Sequence, residues 1–557
     1  MNDMIQNPIL RGFNPDPSIV RVGDDYYIAT STFEWFPGVQ IHHSRDLKNW
    51  QLLGQVLDRK SQLDMRGNPD SCGVWAPCLS YCDGLFYLVY SNVASFDGVW
   101  KDTPNYLVTS HSIHGPWSEP VFLTSRGFDA SLFHDSSGQK WLTNMVLDHR
   151  GGKFFGGIQL QEFDLRLQKL VGEIFHIFTG SDLGLTEGPH LYQRNGWYYL
   201  ITAEGGTEYG HAVSLARARN IVGPYALHPQ NPIISARDFP DAVFQKTGHA
   251  DLVCTQNAEW YAVFLAGRPL TTRGQCTLGR ETVIEQMEWR ADDWLYLKTN
   301  QKTARLQVPA PALQEFFFAG VAECDHFTAS ILQACWQSLR VPVSAQWLSL
   351  SEREGFVRLK GRESLSSTKD QSLIARRVQS FDMAASCKID FSPVNFQQMA
   401  GLVCYYNTGH YLYLYISFSE VTGQRELHLV SCDNFVATEP LQNPLVLSAQ
   451  DEIMLKVEWH RNRVQFFYAE TVRADEWKKV GPELDGSILS DDHVREMSDR
   501  YRPAFTGAFV GICCQDLSGM KLHADFDWFN YCELNTSGDV CLENNNSVMS
   551  LIAVQNA

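Results

Sequence analysis

The chain has 557 residues, 44% of them hydrophobic and 12% aromatic, with a formal net charge of −17 at pH 7. That length exceeds one ordinary core and predicts about two to four domains. The acidic balance excludes nucleic acid and anionic membrane as partners, since both attract basic surfaces, and no run approaches the ~18 apolar residues of a membrane span.

The opening MNDMIQNPILRGF has no basic segment leading into an apolar one, so a secretory leader is not expected and a cytoplasmic location is. The 14 cysteines include no C-x-x-C pair, and buried free thiols are the expectation. Residues 14–18 read NPDPS, with Asp16 held between two prolines. Proline stiffens the backbone on both sides, so Asp16 is either a solvated turn residue at the start of a strand or an acid fixed for a purpose.

A short aromatic strand with a turn before it then recurs five times: DDYYIATS, GLFYLVYS, GQKWLTNM, GWYYLITA and AEWYAVFL. Looser companions are SRDLKNW at 44–50, HSIHGPW at 111–117 and ARNIVGPY at 218–225. Helical periodicity is scarce, and five β modules at a regular interval predict a five-bladed propeller, each blade a four-stranded sheet. The fold class read from the chain is all-β. Eleven residues before Tyr27 stands Asp16; twelve before Tyr87, Trp141, Tyr199 and Tyr261 stand Trp75, Asp129, Glu187 and His249. In a propeller such points converge on the axis. Three carboxylates crowded there would repel unless a proton, cation or ligand intervenes, so Asp16, Asp129 and Glu187 are read as one functional set. His249 is open to two readings, a hydrogen-bonded core histidine or a site residue. Trp75, and in STFEWFPG Phe33 and Trp35, offer either core packing or flat faces for a sugar ring.

Two carboxyls in different environments are the equipment of glycoside hydrolysis, one giving a proton to the leaving oxygen and one activating water or attacking the sugar. NPDPS, GFDASLF and TEGPHLY, in that order, resemble glycoside hydrolase family 43, closest to its two-domain β-xylosidases, over about residues 7–533. The resemblance implies inverting, exo-acting release of xylose from β-1,4-xylo-oligosaccharides, with α-L-arabinofuranosidase as the alternative or added activity. It implies Asp16 as general base, Glu187 as general acid and Asp129 as the group that raises the acid's pKa. Arg280 of LGRET and His249 of TGHAD would bind sugar and steady the carboxylates. Leu147 in NMVLDHR departs from the tryptophan that related enzymes tend to carry there. A non-catalytic sugar-binding propeller is the competing class. It has no need of a proton donor.

The repeat stops near residue 310, and VPAPALQEFFF reads as a linker. We place the propeller at 1–312, a β-sandwich at 320–534 and a loose tail at 535–557. EIMLKVEW alternates Ile453, Leu455, Val457 and Trp459 with polar residues, and YYNTGHYLYLYISF reads as a hairpin around 407–409. The sandwich is either a carbohydrate-binding module or, as the resemblance implies, a wall closing the propeller mouth through RPAFTGAFVG, with Phe509 or Phe505 at the tip. No cofactor is required by this chemistry. Asp325 and Asp527 are candidates for a structural Ca²⁺ or plain surface carboxylates. Oligomeric state is left open, a homo-oligomer included.

Overall fold

The computed structural model describes residues 4–448, 452–470, 476–496 and 503–534; the tail from 535 lies outside them. Five antiparallel blades follow one another in sequence, the fourth of five strands and the others of four, with innermost strands Ser18–Val22, Gly73–Cys82, Ser131–His134, Glu187–Arg194 and Gln245–Cys254. The ring is closed by the chain's own start. Met4–Gln6 pairs antiparallel with Gln307–Pro309. The Asn7 amide then donates to Ile284 O at 2.9 Å and Arg305 O at 2.8 Å, and accepts the Ile284 N–H at 2.9 Å. The N-terminal segment is thus stitched to blade five before it delivers Asp16 to blade one.

The register explains why a fixed backward count works and where it slips. Each blade pairs the aromatic of its second strand with a residue of the first: Tyr27 with Val20, Tyr87 with Ser80, Trp141 with Phe133, Tyr199 with Tyr192, Tyr261 with Val253. Four residues before those partners are Asp16, Ala76, Asp129, Gly188 and His249. In blades two and four partner and aromatic are seven residues apart instead of the eight of blades three and five, so the count of twelve lands one residue early, on Trp75 and Glu187. Asp16, Asp129, Gly188 and His249 all have left-handed backbones, with φ of 52°, 55°, 56° and 51°. Asp and His are among the non-glycine residues that tolerate this region, so four of the five blade starts turn sharply at the axis in the same way, and blade two, at Trp75 and Ala76, does not.

The C-terminal domain is two packed antiparallel sheets. Ile453, Leu455, Val457 and Trp459 are buried in its core while Lys456 and Glu458 pair with each other at 2.8 Å. Each fully buried large aliphatic side chain contributes roughly 1.5–3 kcal/mol. The hairpin forms as read, Gln398–Asn407 returning as His410–Ser419. One strand was not foreseen. Trp35–Phe36, within the propeller's sequence, pairs with Gln337–Leu339 and extends a sandwich sheet. Trp35 is therefore core, fully buried, and its ring stacks on Phe509 at 3.7 Å. The domain boundary in space cuts through blade one.

Candidate active site

Asp16 is reached by the closing segment and held by its neighbours across the hairpin. Ser18 pairs with Ala29, so the same register puts Ser31 opposite Asp16. Ser31 Oγ donates to Asp16 Oδ2 at 2.6 Å. Arg280 opens the strand Arg280–Trp289 in blade five. Its Nη1 lies 3.3 Å from Asp16 Oδ1 and donates to Thr207 Oγ1 at 2.9 Å, and its Nη2 donates to the Phe505 carbonyl at 3.1 Å. Burial pushes the Asp16 carboxyl up, but the Arg280 charge and the Ser31 hydrogen bond outweigh it, and Asp16 stays below its ordinary value.

Glu187 has no such cation of its own. Burial first, and then the charge of Asp16, lift it to about 8, with Arg280 pulling weakly the other way. Asp129 is raised well above its ordinary value by burial, then by Glu187 and Asp16. The order of causes differs from the sequence expectation, which made Asp129 the source of Glu187's shift. Enclosure in protein comes first and Asp16 second, while Glu187 in turn raises Asp129. One arginine serves three carboxyls, so one ionised acid, Asp16, and protonated neighbours is the favoured state.

His249 Nδ1 stands 3.8 Å from Asp16 Oδ1 and 3.9 Å from Asp129 Oδ2, too far for hydrogen bonds. Burial holds its imidazole down to about 4, so it is neutral. Its ring lies on Gly188, where an added Cβ would come within 2.9 Å of Cε1. Gly188 in TEGPH thus serves both its positive φ and this contact. The Asp of TGHAD, Asp251, is not in the set. It accepts from Ser18 Oγ at 3.0 Å, from the Ile19 N–H at 2.8 Å and from the Tyr192 hydroxyl, tying three blades together.

The pocket wall is aromatic. Trp75 meets Phe96 at 4.7 Å, Phe128 at 4.9 Å and Phe505 at 5.4 Å, and its Nε1 donates to Ser71 O at 3.0 Å. Phe33 lies 5.8 Å from Phe505, and the Arg280 guanidinium sits 5.5 Å over the Phe33 ring. Phe505, not Phe509, is the sandwich residue at the pocket. Phe509 is fully buried behind it on Trp35 and, at 5.9 Å, against Phe13. The loop reaches in because glycines allow it; a Cβ on Gly279 would strike Thr506 O at 2.5 Å. Ser31 and Thr207 were missed in the sequence. Ser31 was within reach by counting across the hairpin; Thr207 sits in a loop whose path only the fold shows.

Asp325 accepts from the Phe327 N–H and from Trp336 Nε1, both at 2.9 Å, and Asp527 pairs with Lys388 at 3.0 Å. Both lie in one sheet, Asp325 pairing with Phe529 on the strand that carries Asp527.

The raised acid has a stability consequence. A group whose folded pKa of about 8 exceeds its unfolded value contributes stability below the unfolded value that is lost as pH rises toward 8. Glu187→Gln removes that loss. At pH 7 the variant is expected to be more stable than the parent by up to about 3 kcal/mol, and at pH 4 to be no more stable. Denaturant unfolding at both pH values checks this; equal stability at pH 7 would show an unperturbed carboxyl.

A family model described as "Glycosyl hydrolases family 43" matches residues 5–295, and one described as "Beta xylosidase C-terminal Concanavalin A-like domain" matches residues 324–532. The chain is 49% identical over 540 residues to a protein of Bacillus subtilis (strain 168) named "Beta-xylosidase", covering 95% of this chain and 99% of that one. It is also 49% identical over 536 residues to "Xylosidase/arabinosidase 43B" of Humicola insolens, covering 95% and 97%. Among solved structures, a xylan β-1,4-xylosidase from Bacillus halodurans C-125 superposes with a TM-score of 0.92 at 50% identity, covering 95% of this chain and all of the other.

Proposed function

From the premise that the chain belongs to glycosyl hydrolase family 43 and is a glycosidase, we propose that it removes xylose from the non-reducing end of β-1,4-xylo-oligosaccharides with inversion. The observation that carries the chemistry is the split among the three axial carboxyls: Asp16 ionised beside Arg280, Glu187 protonated near pH 7. Asp16, as base, takes a proton from water on one side of the sugar. Glu187 gives its proton to the departing glycosidic oxygen on the other. The two stand on blades one and four, and inversion requires that the space between them admit that water. Asp129, Arg280 and neutral His249 hold the pair, and Trp75, Phe33 and Phe505 exclude solvent. Near-complete burial of Asp16 and Asp129 beneath this wall suits a chain end rather than the middle of a polymer.

Xylobiose and a panel of nitrophenyl glycosides, with NMR of the first product, test the reading. α-Xylose from a β-xyloside is expected; β-xylose would remove the base role of Asp16. α-L-Arabinofuranosidase activity is the second reading. Leu147, in the position where a tryptophan is usual, and the name of the Humicola relative favour it. The ratio of rates on the two nitrophenyl glycosides decides between them.

Beyond the pocket, the leaving-group units need a surface. The loops that join the second and third strands of blades two and three emerge where the first strands begin, at the mouth. Between them lies a cavity of about 330 Å³ lined by Trp100, Lys101, Arg126, Leu147 and Phe154. Trp100 is 74% exposed there, and Phe96 links the groove to the pocket, 5.5 Å from Phe154 and 4.7 Å from Trp75. Trp100→Ala is expected to raise KM for xylotetraose roughly threefold to tenfold, the worth of one aromatic contact, while leaving xylobiose nearly unchanged. Equal effects on both substrates would place the outer units elsewhere.

A further inference from the structure

We infer that His410, Asp433 and His493, on the sandwich, form a binding site for a first-row divalent transition cation of the zinc class. One ligand atom from each residue lies within 4.8 Å of the other two. Three separate elements bring them together. His410 opens the strand His410–Ser419 and Asp433 ends its neighbour Gln424–Asp433; Tyr411 pairs with Cys432, so the register sets His410 opposite Asp433. His493 comes over them from the helix Asp491–Glu496.

The hydrogen bonds fix which nitrogen of His410 faces the carboxylate. The Gly409 N–H donates to Asn407 Oδ1 at 2.9 Å, which identifies that atom as the amide oxygen. The oxygen also lies 2.9 Å from His410 Nδ1. Nδ1 must therefore carry the hydrogen. Nε2 stands 3.5 Å from Asp433 Oδ1. With Nδ1 committed to Asn407, Nε2 is the nitrogen that His410 turns toward Asp433, on the side where His493 also meets that carboxylate. Asn407 does for His410 what an outer partner does for a metal-bound imidazole, fixing tautomer and ring direction.

The spacing fits the same class of ion. Ligand bonds of about 2.0–2.1 Å in a tetrahedral site put ligand atoms about 3.3 Å apart. The His493 Nε2–Asp433 Oδ1 distance of 2.9 Å and the His410 Nε2–Asp433 Oδ1 distance of 3.5 Å bracket that value. Two imidazoles and one carboxylate select zinc-like ions over Ca²⁺ or Mg²⁺, which prefer oxygen. Asp433 and His493 keep part of their side chains exposed, 35% and 24%, which leaves a water the fourth position and gives the ion a way in. The helix that carries His493 is also the one whose Asp491 and Asp492 hold the buried Lys246 of blade five, at 2.9 and 2.7 Å. A bound ion would fasten the hairpin to the element that docks the sandwich on the propeller.

The test uses the full chain, stripped with EDTA and titrated with Zn²⁺ against a chromophoric chelator, with Co²⁺ absorption as a second reading of the ligand set. One saturable equivalent and a Zn²⁺-dependent rise in Tm are expected. Both should disappear in Asp433→Asn and in His493→Gln, whose melting without metal and turnover of an aryl xyloside stay at the parent level. Asn407→Ala, which frees the His410 ring, should weaken binding about 10- to 100-fold. No saturable equivalent in the parent would mean an ordinary Asp–His hydrogen bond. An equivalent retained by both variants would mean binding at thiols or other histidines. Either result overturns the site. If one variant does not fold without metal, the other decides.

Discussion

Glu187→Gln should lose roughly 10²- to 10⁴-fold in kcat on xylobiose and far less on dinitrophenyl β-xyloside. The amide cannot donate the proton that an alkoxide leaving group needs, whereas dinitrophenolate departs nearly unaided. Asp16→Asn should lose as much or more on both substrates, because water must be activated whichever group leaves. The pH profile follows from the same assignments. The acid must be protonated, so parent activity on xylobiose should fall as pH rises through about 8, the value to which burial and Asp16 lift Glu187. The base must be ionised, and Arg280 keeps Asp16 below the ordinary carboxylate range, so the acidic limb should lie low. In Glu187→Gln on the activated substrate, the alkaline limb should flatten. Equal losses on the two substrates would transfer the acid role, with Asp129 next in line.

Residues 1–315 expressed without the sandwich should be inactive or poorly folded. Three observations drive this expectation. Phe505 and its carbonyl, which receives Arg280 Nη2 at 3.1 Å, come from the sandwich. Trp35–Phe36 would lose its strand partner and leave the Trp35 ring, stacked on Phe509 in the intact chain, exposed with Phe13 and Phe33. Arg340, which donates to Asn68 O and to Asp70 at 2.7 Å each, would leave the buried Glu34 without its neighbouring charge. Displacing positioning groups by about 1 Å already costs on the order of 10²-fold, and here a whole wall is removed. Gel filtration and turnover of nitrophenyl xyloside measure the outcome. A soluble fragment with full activity would return the sandwich to the role of a separable binding module.

Sequence by itself determined the repeat, and the repeat determined most of the site. Five aromatic strands in step require five blades, and a point fixed relative to each strand must come to the axis. That is why Asp16, Asp129, Glu187, His249 and Trp75 could be gathered without coordinates. Local chemistry reinforced it: proline on both sides of Asp16, and a glycine after Glu187 that a left-handed turn requires.

Tertiary structure decided what depends on residues distant in the chain. Strand pairing, which sets the partner of each aromatic, shifts the count by one in blades two and four. The choice between Phe505 and Phe509 turned on which ring the docked sandwich turns toward the pocket and which it spends on Trp35. The protonation states were also out of reach of sequence. They depend on how deeply three carboxyls are buried and on a single guanidinium, 264 residues from Asp16 in the chain and 3.3 Å from it in space. Short-range pattern fixes strands and turns because it repeats along the backbone, while electrostatics follows distance through a low-dielectric interior that only the folded chain creates.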